Sequence, residues 1–292
     1  MGKTISHSNY CDYFASKCPR CKGLKRVLRD GEWTSCVCQH IATVKWRFEQ
    51  IKLEPPELKY HNWSDFNGIV RKRSPEGRME QTGFIKGMDA STAAVVAESA
   101  RSKAMLYCFD TDDCEAVKDR STRKKHSIIH NRSLSGDNVV IAGNSQSGRS
   151  LLAALILKEV VRASLDSGKL YTFGWINGVR LIQAALWDSN KTIDHALIDE
   201  WSELDFLFID NFHLRHSKSV CLDDLFFARR CEQRPTIITC SNQFLDGCRD
   251  VPLREFNSGR IRQMLGDEAL DMMLNPSNVE IKLYVEGEHR NG

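Results

Sequence analysis

A short apolar strand running straight into two spaced glycines constrains this chain more than any other feature. Val139-Val140-Ile141-Ala142 leads into Gly143-x4-Gly148-Arg149-Ser150, and an apolar helix pattern over Ser150 to Asp166 follows at once. Glycines let the backbone turn so that successive amides point the same way. The helix N-terminus adds a partial positive charge at that corner, so phosphate oxygens are its natural ligand. The candidate phosphate cradle is Gly143, Asn144, Ser145, Gln146, Ser147, Gly148, Arg149 and Ser150. Ser150 stands where a hydroxyl can hold Mg²⁺. Arg149 stands where lysine is usual: the charge is kept, but a compact ammonium is exchanged for a broad planar fork. The same spacing also serves as a plain turn between strand and helix, with no ligand, so the loop alone does not decide.

The segments after the loop supply the context. Leu170–Trp175, Leu204–Ile209 and Pro235–Cys240 read as strands, alternating with helix patterns at Asn177–Trp187 and Leu222–Cys231. Strands alternating with helices imply a parallel sheet with crossover helices, hence an α/β fold. Leu204 to Ile209 ends in Asp210, an acid placed to complete a Mg²⁺ shell. The next position usually carries a carboxylate that takes a proton from the attacking water. Here it is Asn211, whose amide can orient water but cannot accept its proton. If this site binds ATP, hydrolysis is expected to be slow or absent. A third polar strand end, Thr239-Cys240-Ser241-Asn242, offers Asn242 to a terminal phosphate or a lytic water, although such an ending also serves as an ordinary turn.

These stretches, in this order, resemble the DnaC/IstB-type AAA+ ATPases: helicase loaders and transposition ATPases. The matching parts are Val139 to Leu155, Leu204 to Leu214 and Leu225 to Asn242, with Phe226-Phe227-Ala228-Arg229-Arg230 in the last. The alanine-bearing helix pattern over 89–108 also fits, so the resemblance spans roughly residues 62–292. It implies a P-loop AAA+ αβα sandwich that assembles head to tail as a homo-oligomer, with ATP and Mg²⁺ held between protomers. It also implies an arginine reaching the neighbour's γ-phosphate. In Ser258-Gly259-Arg260-Ile261-Arg262 the matching position is Arg260, with Arg262 second; either is also at home as a surface arginine. The chain departs from the family pattern at Arg149 and Asn211, which weakens catalysis and spares the fold.

Five of the 11 cysteines crowd the first forty residues. Cys18-Pro19-Arg20-Cys21 is followed, after a hairpin-like segment, by Cys36-Val37-Cys38; two close pairs at this spacing can wrap one tetrahedral Zn²⁺. Such a closed site is structural, and the metal supplies folding energy that a segment this small lacks. Cys11 and His40 are spare candidates. Lys17, Arg20, Lys22, Lys25, Arg26 and Arg29 surround the cluster, a face open to nucleic acid or an acidic protein, or simply solvated. Trp33 and Trp46 can stack on bases or pack beside the metal.

The expected organisation is a zinc-binding module over 1–45, a linker over 46–61 containing Pro55-Pro56, and the AAA+ domain over 62–292 with a polar insertion near 110–137. With 41 basic and 38 acidic residues the net charge is +3, so any nucleic-acid surface must be a local patch. Neither a signal peptide nor a membrane-spanning run is legible, and the clustered thiols fit a cytoplasmic, reducing compartment. Three functions compete. One is a helicase-loader-like ATP-binding protein in DNA replication, whose partners are a replicative helicase and DNA, single-stranded by preference. The second is a transposition regulator recruiting a transposase-like protein. The third is a non-enzymatic scaffold with a degenerate P-loop.

Overall fold

The structure is a computed structural model that describes residues 6–54, 56–73, 79–85, 88–109, 128–185, 193–213, 222–249 and 266–284. The chain opens with helix α1 (His7–Ser16), the antiparallel hairpin β1 (Arg26–Arg29) and β2 (Glu32–Ser35), and helix α2 (Val37–Gln50). Residue 45, the expected end of the cysteine module, falls inside α2. The helix has an apolar stripe, and its Val44 joins the main core together with Ile51, Leu53 and Leu58 from the segment read as a linker. A second antiparallel hairpin, β3 (Ile69–Arg73) and β4 (Met79–Phe84), follows.

Helix α3 (Ala90–Cys108) forms as its pattern predicts. Asp89 caps it by accepting from the amides of Ser91 and Thr92 at 2.8 and 2.9 Å, and donation from the Ser91 hydroxyl, then from the Thr92 amide and hydroxyl, holds its carboxyl below the usual range. Ala93, Ala97, Ala100, Ala104 and Cys108 are all buried. Small residues on that stripe let the helix approach the sheet closely. The expected polar insertion lies mostly outside the described residues, but its end folds into a short helix, α4 (Ile129–Ser135), anchored by buried Ile129.

From β5 (Val139–Gly143) strands and helices alternate: α5 (Arg149–Ser167), β6 (Phe173–Asn177), α6 (Gly178–Ala185), α7 (His195–Ser202), β7 (Phe206–Phe212), α8 (Asp223–Cys231), β8 (Thr236–Cys240), α9 (Asn242–Arg249), α10 (Asp267–Leu274) and β9 (Val279–Leu283); α7, α9, α10 and β9 go beyond the expected set. The five strands form one parallel sheet in the order β6-β7-β8-β5-β9. Every residue of β5 and β8 is buried, as strands covered on both faces must be.

Side-chain alternation divides the interior in two. Val139, Ile141, Phe206 and Phe208 meet α3, α4 and α5 on one face. Val140, Ala142, Leu207 and Ile209 meet α6, α7, α8 and α10 on the other. The result is an αβα sandwich around a parallel central sheet, preceded by a small module whose four cysteines suit a zinc ion. Among the described residues, no helix is long and apolar enough to cross a membrane.

Candidate nucleotide and metal sites

Parallel α/β sheets offer ligands the crevice beyond the carboxyl ends of their strands. Here Gly143 ends β5, Asp210 lies near the end of β7, and Cys240 ends β8. The turn Asn144–Gly148 is closed by the Ser147 amide donating to the Asn144 carbonyl at 3.2 Å. Two glycines are required. At Gly148 φ is +91°, and a Cβ there would lie 2.8 Å from the Phe66 ring. At Gly143 a Cβ would lie 2.5 Å from Ser147 Oγ. The first helical bond runs from the Leu152 amide to the Gly148 carbonyl, so the amides of Arg149, Ser150 and Leu151 have no acceptor within the helix.

Two further donors converge on this corner without a protein partner: Ser147 Oγ and Arg149 Nη1, both buried. Burial pushes the Arg149 guanidinium below its ordinary pKa, while Cys240 and Asp210 act in the opposite sense. A buried cationic donor with nothing to donate to calls for an anion, and the backbone around it is arranged to receive one.

Ser150 and Asp210, 60 residues apart in sequence, meet here: the Ser150 hydroxyl donates to Asp210 Oδ1 at 2.7 Å. A hydroxyl and a carboxylate are the hard oxygen ligands that Mg²⁺ takes, so these two residues fit the ion expected from the sequence.

Thr239, which carried no role in the sequence reading, ties the cluster together. Its hydroxyl donates to the same Asp210 Oδ1 at 2.6 Å and accepts from the Asn211 amide at 2.7 Å. The reason is a register shift between β7 and β8. An irregularity of this kind leaves a strand residue without its ladder partner. Asn211 takes the left-handed region, φ 56°, and is exposed, while Asp210 beside it is buried. Asparagine tolerates that backbone better than most residues.

Thr239 should therefore matter although it touches no ligand. We expect Thr239→Val to cost about 1–3 kcal/mol in denaturant unfolding, because the amide and the carboxylate both lose a partner. An unchanged midpoint would mean that water replaces the hydroxyl.

Asn242 is buried at the first position of α9. Arg260 and Arg262 lie outside the described residues.

The cysteine cluster forms at the other end of α5. Cys18 and Cys21 follow α1, Cys36 caps α2 and Cys38 lies in its first turn. All four sulfurs lie within 4.8 Å of one another, with Cys18–Cys36 and Cys21–Cys38 each at 3.6 Å. A ZnS₄ tetrahedron with bonds of about 2.3 Å places its sulfurs about 3.8 Å apart, so the donor set fits zinc.

The two spare candidates are engaged elsewhere. Cys11 lies 3.4 Å from His7 Nε2, and His40 Nε2 meets the Ser164 carbonyl of α5. The module's own core is small: Ala15 and three of the cysteines, flanked by Phe14 and Val27. Of the two tryptophans, Trp33 is exposed on the hairpin and Trp46 lies against His7, ring centres 4.9 Å apart.

No protein-family model matches this chain, and no curated protein matches it. Among solved structures it is similar to one described as the crystal structure of the DnaI, at 16% identity and a TM-score of 0.38, covering 63% of this chain and 84% of that one. It is also similar to a replication initiator DnaA bound to AMPPCP and single-stranded DNA, at 11% identity and TM-score 0.35, covering 61% and 47% of the two chains. A third is domain III of the Thermotoga maritima replication initiation protein DnaA, at 14% identity and TM-score 0.33, covering 63% and 67%.

Proposed function

We propose that this chain is a helicase-loader-like AAA+ protein of DNA replication that uses ATP as an assembly ligand and hydrolyses it slowly or not at all. The observation that carries the reading is the pairing of a built phosphate corner with an incomplete catalytic one. Arg149, Ser147 and the loop amides offer donors, and Ser150 with Asp210 offers oxygens to a metal. Position 211, where a proton acceptor is needed, is an amide. Binding without turnover is what this set of groups can do.

In this reading nucleotide sits between protomers of a homo-oligomer, with Arg260 or Arg262 of one subunit reaching the next. The zinc module contacts a replicative helicase, and the AAA+ domain lies on DNA, single-stranded by preference. Transposition regulation and a nucleotide-free scaffold remain the competing functions. They separate on whether nucleotide binds and whether the assembled protein recruits a helicase or a transposase.

Equilibrium binding of ATP with Mg²⁺, on wild type and Arg149→Ala, tests the core of the reading. We expect wild type to bind and the variant to weaken by about tenfold to a hundredfold, the worth of a charge-assisted bond to phosphate. No binding by either protein rejects the nucleotide function.

A hydrolysis assay of position 211 asks whether only the base is missing. The left-handed backbone at Asn211 makes Asn211→Asp the first choice, since aspartate tolerates that conformation. Asn211→Glu reaches further but should cost about 1–2 kcal/mol in folding. Turnover appearing in either variant is the expected result. Silence in both, with binding intact, would place the defect elsewhere.

A further inference from the structure

The hairpin of the cysteine module turns one face away from the metal cluster. Successive side chains of a strand point to opposite faces, and directly paired residues share a face. Val27 pairs with Thr34, and Val27 packs against the buried cysteines. The pairs on either side of it, Arg26 with Ser35 and Leu28 with Trp33, therefore point outward. There Leu28 is 60% and Trp33 61% exposed. Trp33 is the one exposed tryptophan among the described residues. A large apolar ring left in water beside a second apolar side chain marks a surface that something else covers.

The charge around this face says what. Between residues 17 and 35 six basic side chains stand against two acidic ones, a surplus of four. The rest of the chain carries 35 basic against 36 acidic residues. A zinc ion held by four thiolates would bring two negative charges, which leaves a surplus of two. Lys25 is taken by Asp12 at 2.5 Å. Arg20, Lys22, Arg26 and Arg29 make no ion pair among the described residues. Arg26 lies two residues from Leu28 on the same outward face.

An apolar ring among unpaired cations suits an acidic protein or a nucleic acid, and size decides between them. Trp33, Leu28 and the exposed Leu24 offer roughly 500 Å² together. A standard protein interface takes about 800 Å² from each partner. A nucleic-acid base needs only one ring to stack on and one cation for its phosphate. We propose that this outward face binds single-stranded DNA, with a base stacked on Trp33, its sugar against Leu28 and the adjoining phosphate on Arg26. The inference rests on the single-stranded DNA of the reading above and deepens it, adding a grip on the metal module. Every base has a π-face, so the contact tolerates any sequence but needs bases free of a duplex. It is separate from the nucleotide corner and holds with or without ATP.

The experiment titrates the full chain into fluorescein-labelled oligothymidylate of about 16 nucleotides. Anisotropy is read with ATP and without it. Wild type, Trp33→Leu, Trp33→Phe and Arg26→Gln are compared. Trp33→Leu should weaken binding by about tenfold, the worth of one stacked base. Trp33→Phe keeps a ring and should lose less than about threefold. Arg26→Gln should reduce the slope of log affinity against log salt by about 0.7, the share of one single-strand phosphate. An equal-length duplex should compete at least about tenfold more weakly than the single strand.

Unchanged affinity in Trp33→Leu overturns the inference, leaving DNA to the AAA+ domain and the hairpin face to a protein. Equal losses in Trp33→Phe and Trp33→Leu overturn it too, because the ring would then not be the contact. So does a duplex that competes as well as the single strand. No binding by wild type under any condition rejects the inference together with the DNA role. Metal content and circular dichroism equal to wild type show that a variant keeps its module. Should either tryptophan variant lose it, an unchanged salt slope in Arg26→Gln still overturns the proposal.

Discussion

Replacing Cys18 and Cys21 by serine should remove about one equivalent of zinc per chain and unfold the first thirty-odd residues, while the sheet domain stays folded. The module has almost nothing else to hold it. Its apolar core is Ala15 and the buried cysteines themselves, and its hairpin exposes Leu28 and Trp33 as a cross-strand pair. Four sulfurs gathered without a metal are also a poor arrangement: burial pushes the Cys38 thiol up to about 12, while amide donation from Cys21 lowers Cys18 to about 7. A zinc ion would resolve this by taking all four as thiolates.

The damage should stop partway along α2, because Val44, Ile51 and Leu53 belong to the main core. Metal analysis together with limited proteolysis checks this: new cleavage is expected between residues 17 and 36, and protection beyond Val44. Unchanged metal content would reject these ligands. Cleavage spread through the sheet domain would reject the boundary.

The second large effect concerns a residue remote from both sites. Arg229 on α8 is 2% exposed. Its Nε donates to Thr236 Oγ1 at 2.8 Å, Nη1 to the carbonyls of Trp201 and Leu204 at 2.9 and 2.8 Å, and Nη2 to the Pro235 carbonyl at 2.5 Å. Burial pushes its pKa down to about 9, which leaves it charged at neutral pH. One guanidinium thus closes the loop after α7, the start of β7 and the start of β8 into a single joint.

Arg229→Met keeps most of the volume and removes every donor, stranding carbonyls away from water. We expect it to cost about 3–5 kcal/mol. That is a large share of the roughly 5–15 kcal/mol by which a domain is stable. Arg229→Lys should recover part of the loss, since an ammonium can reach only some of the acceptors. Chemical denaturation measures both, and a methionine variant within about 0.5 kcal/mol of wild type would show that the joint is not needed.

How much of this was legible beforehand follows from what each signal depends on. The four strands β5 to β8 and the helices α5, α6 and α8 between them were readable because strand, glycine turn and helix each announce themselves locally. The meeting of Ser150 with Asp210 was readable because two separate strand ends carried the right side chains in the right order. The gathering of the four cysteines was readable from spacing alone.

Four things were not legible. Thr239 looks like one more β-branched strand residue, and only the register shift gives its hydroxyl two partners. Arg229 sits beside Arg230 in a charged helix, and sequence cannot tell which of two neighbouring arginines turns inward. Asn211 reads as a lost carboxylate, yet the backbone there is left-handed, so part of the reason for asparagine is conformational. The strand β9 was missed because Val279–Leu283 is short and alternates with charge, a weak signal that only its pairing with β5 makes good.

Helix α5 begins at the phosphate loop and ends beside the helix that Cys36 caps. His40 grips its last turn at Ser164, and Trp63 holds it midway through a 3.0 Å bond to Glu159. Its 19 residues make a rod about 28 Å long. Held at mid-length and in its last turn, and buried along most of its length, it is a fixed spacer: it sets the phosphate loop and the cysteine cluster about one helix length apart.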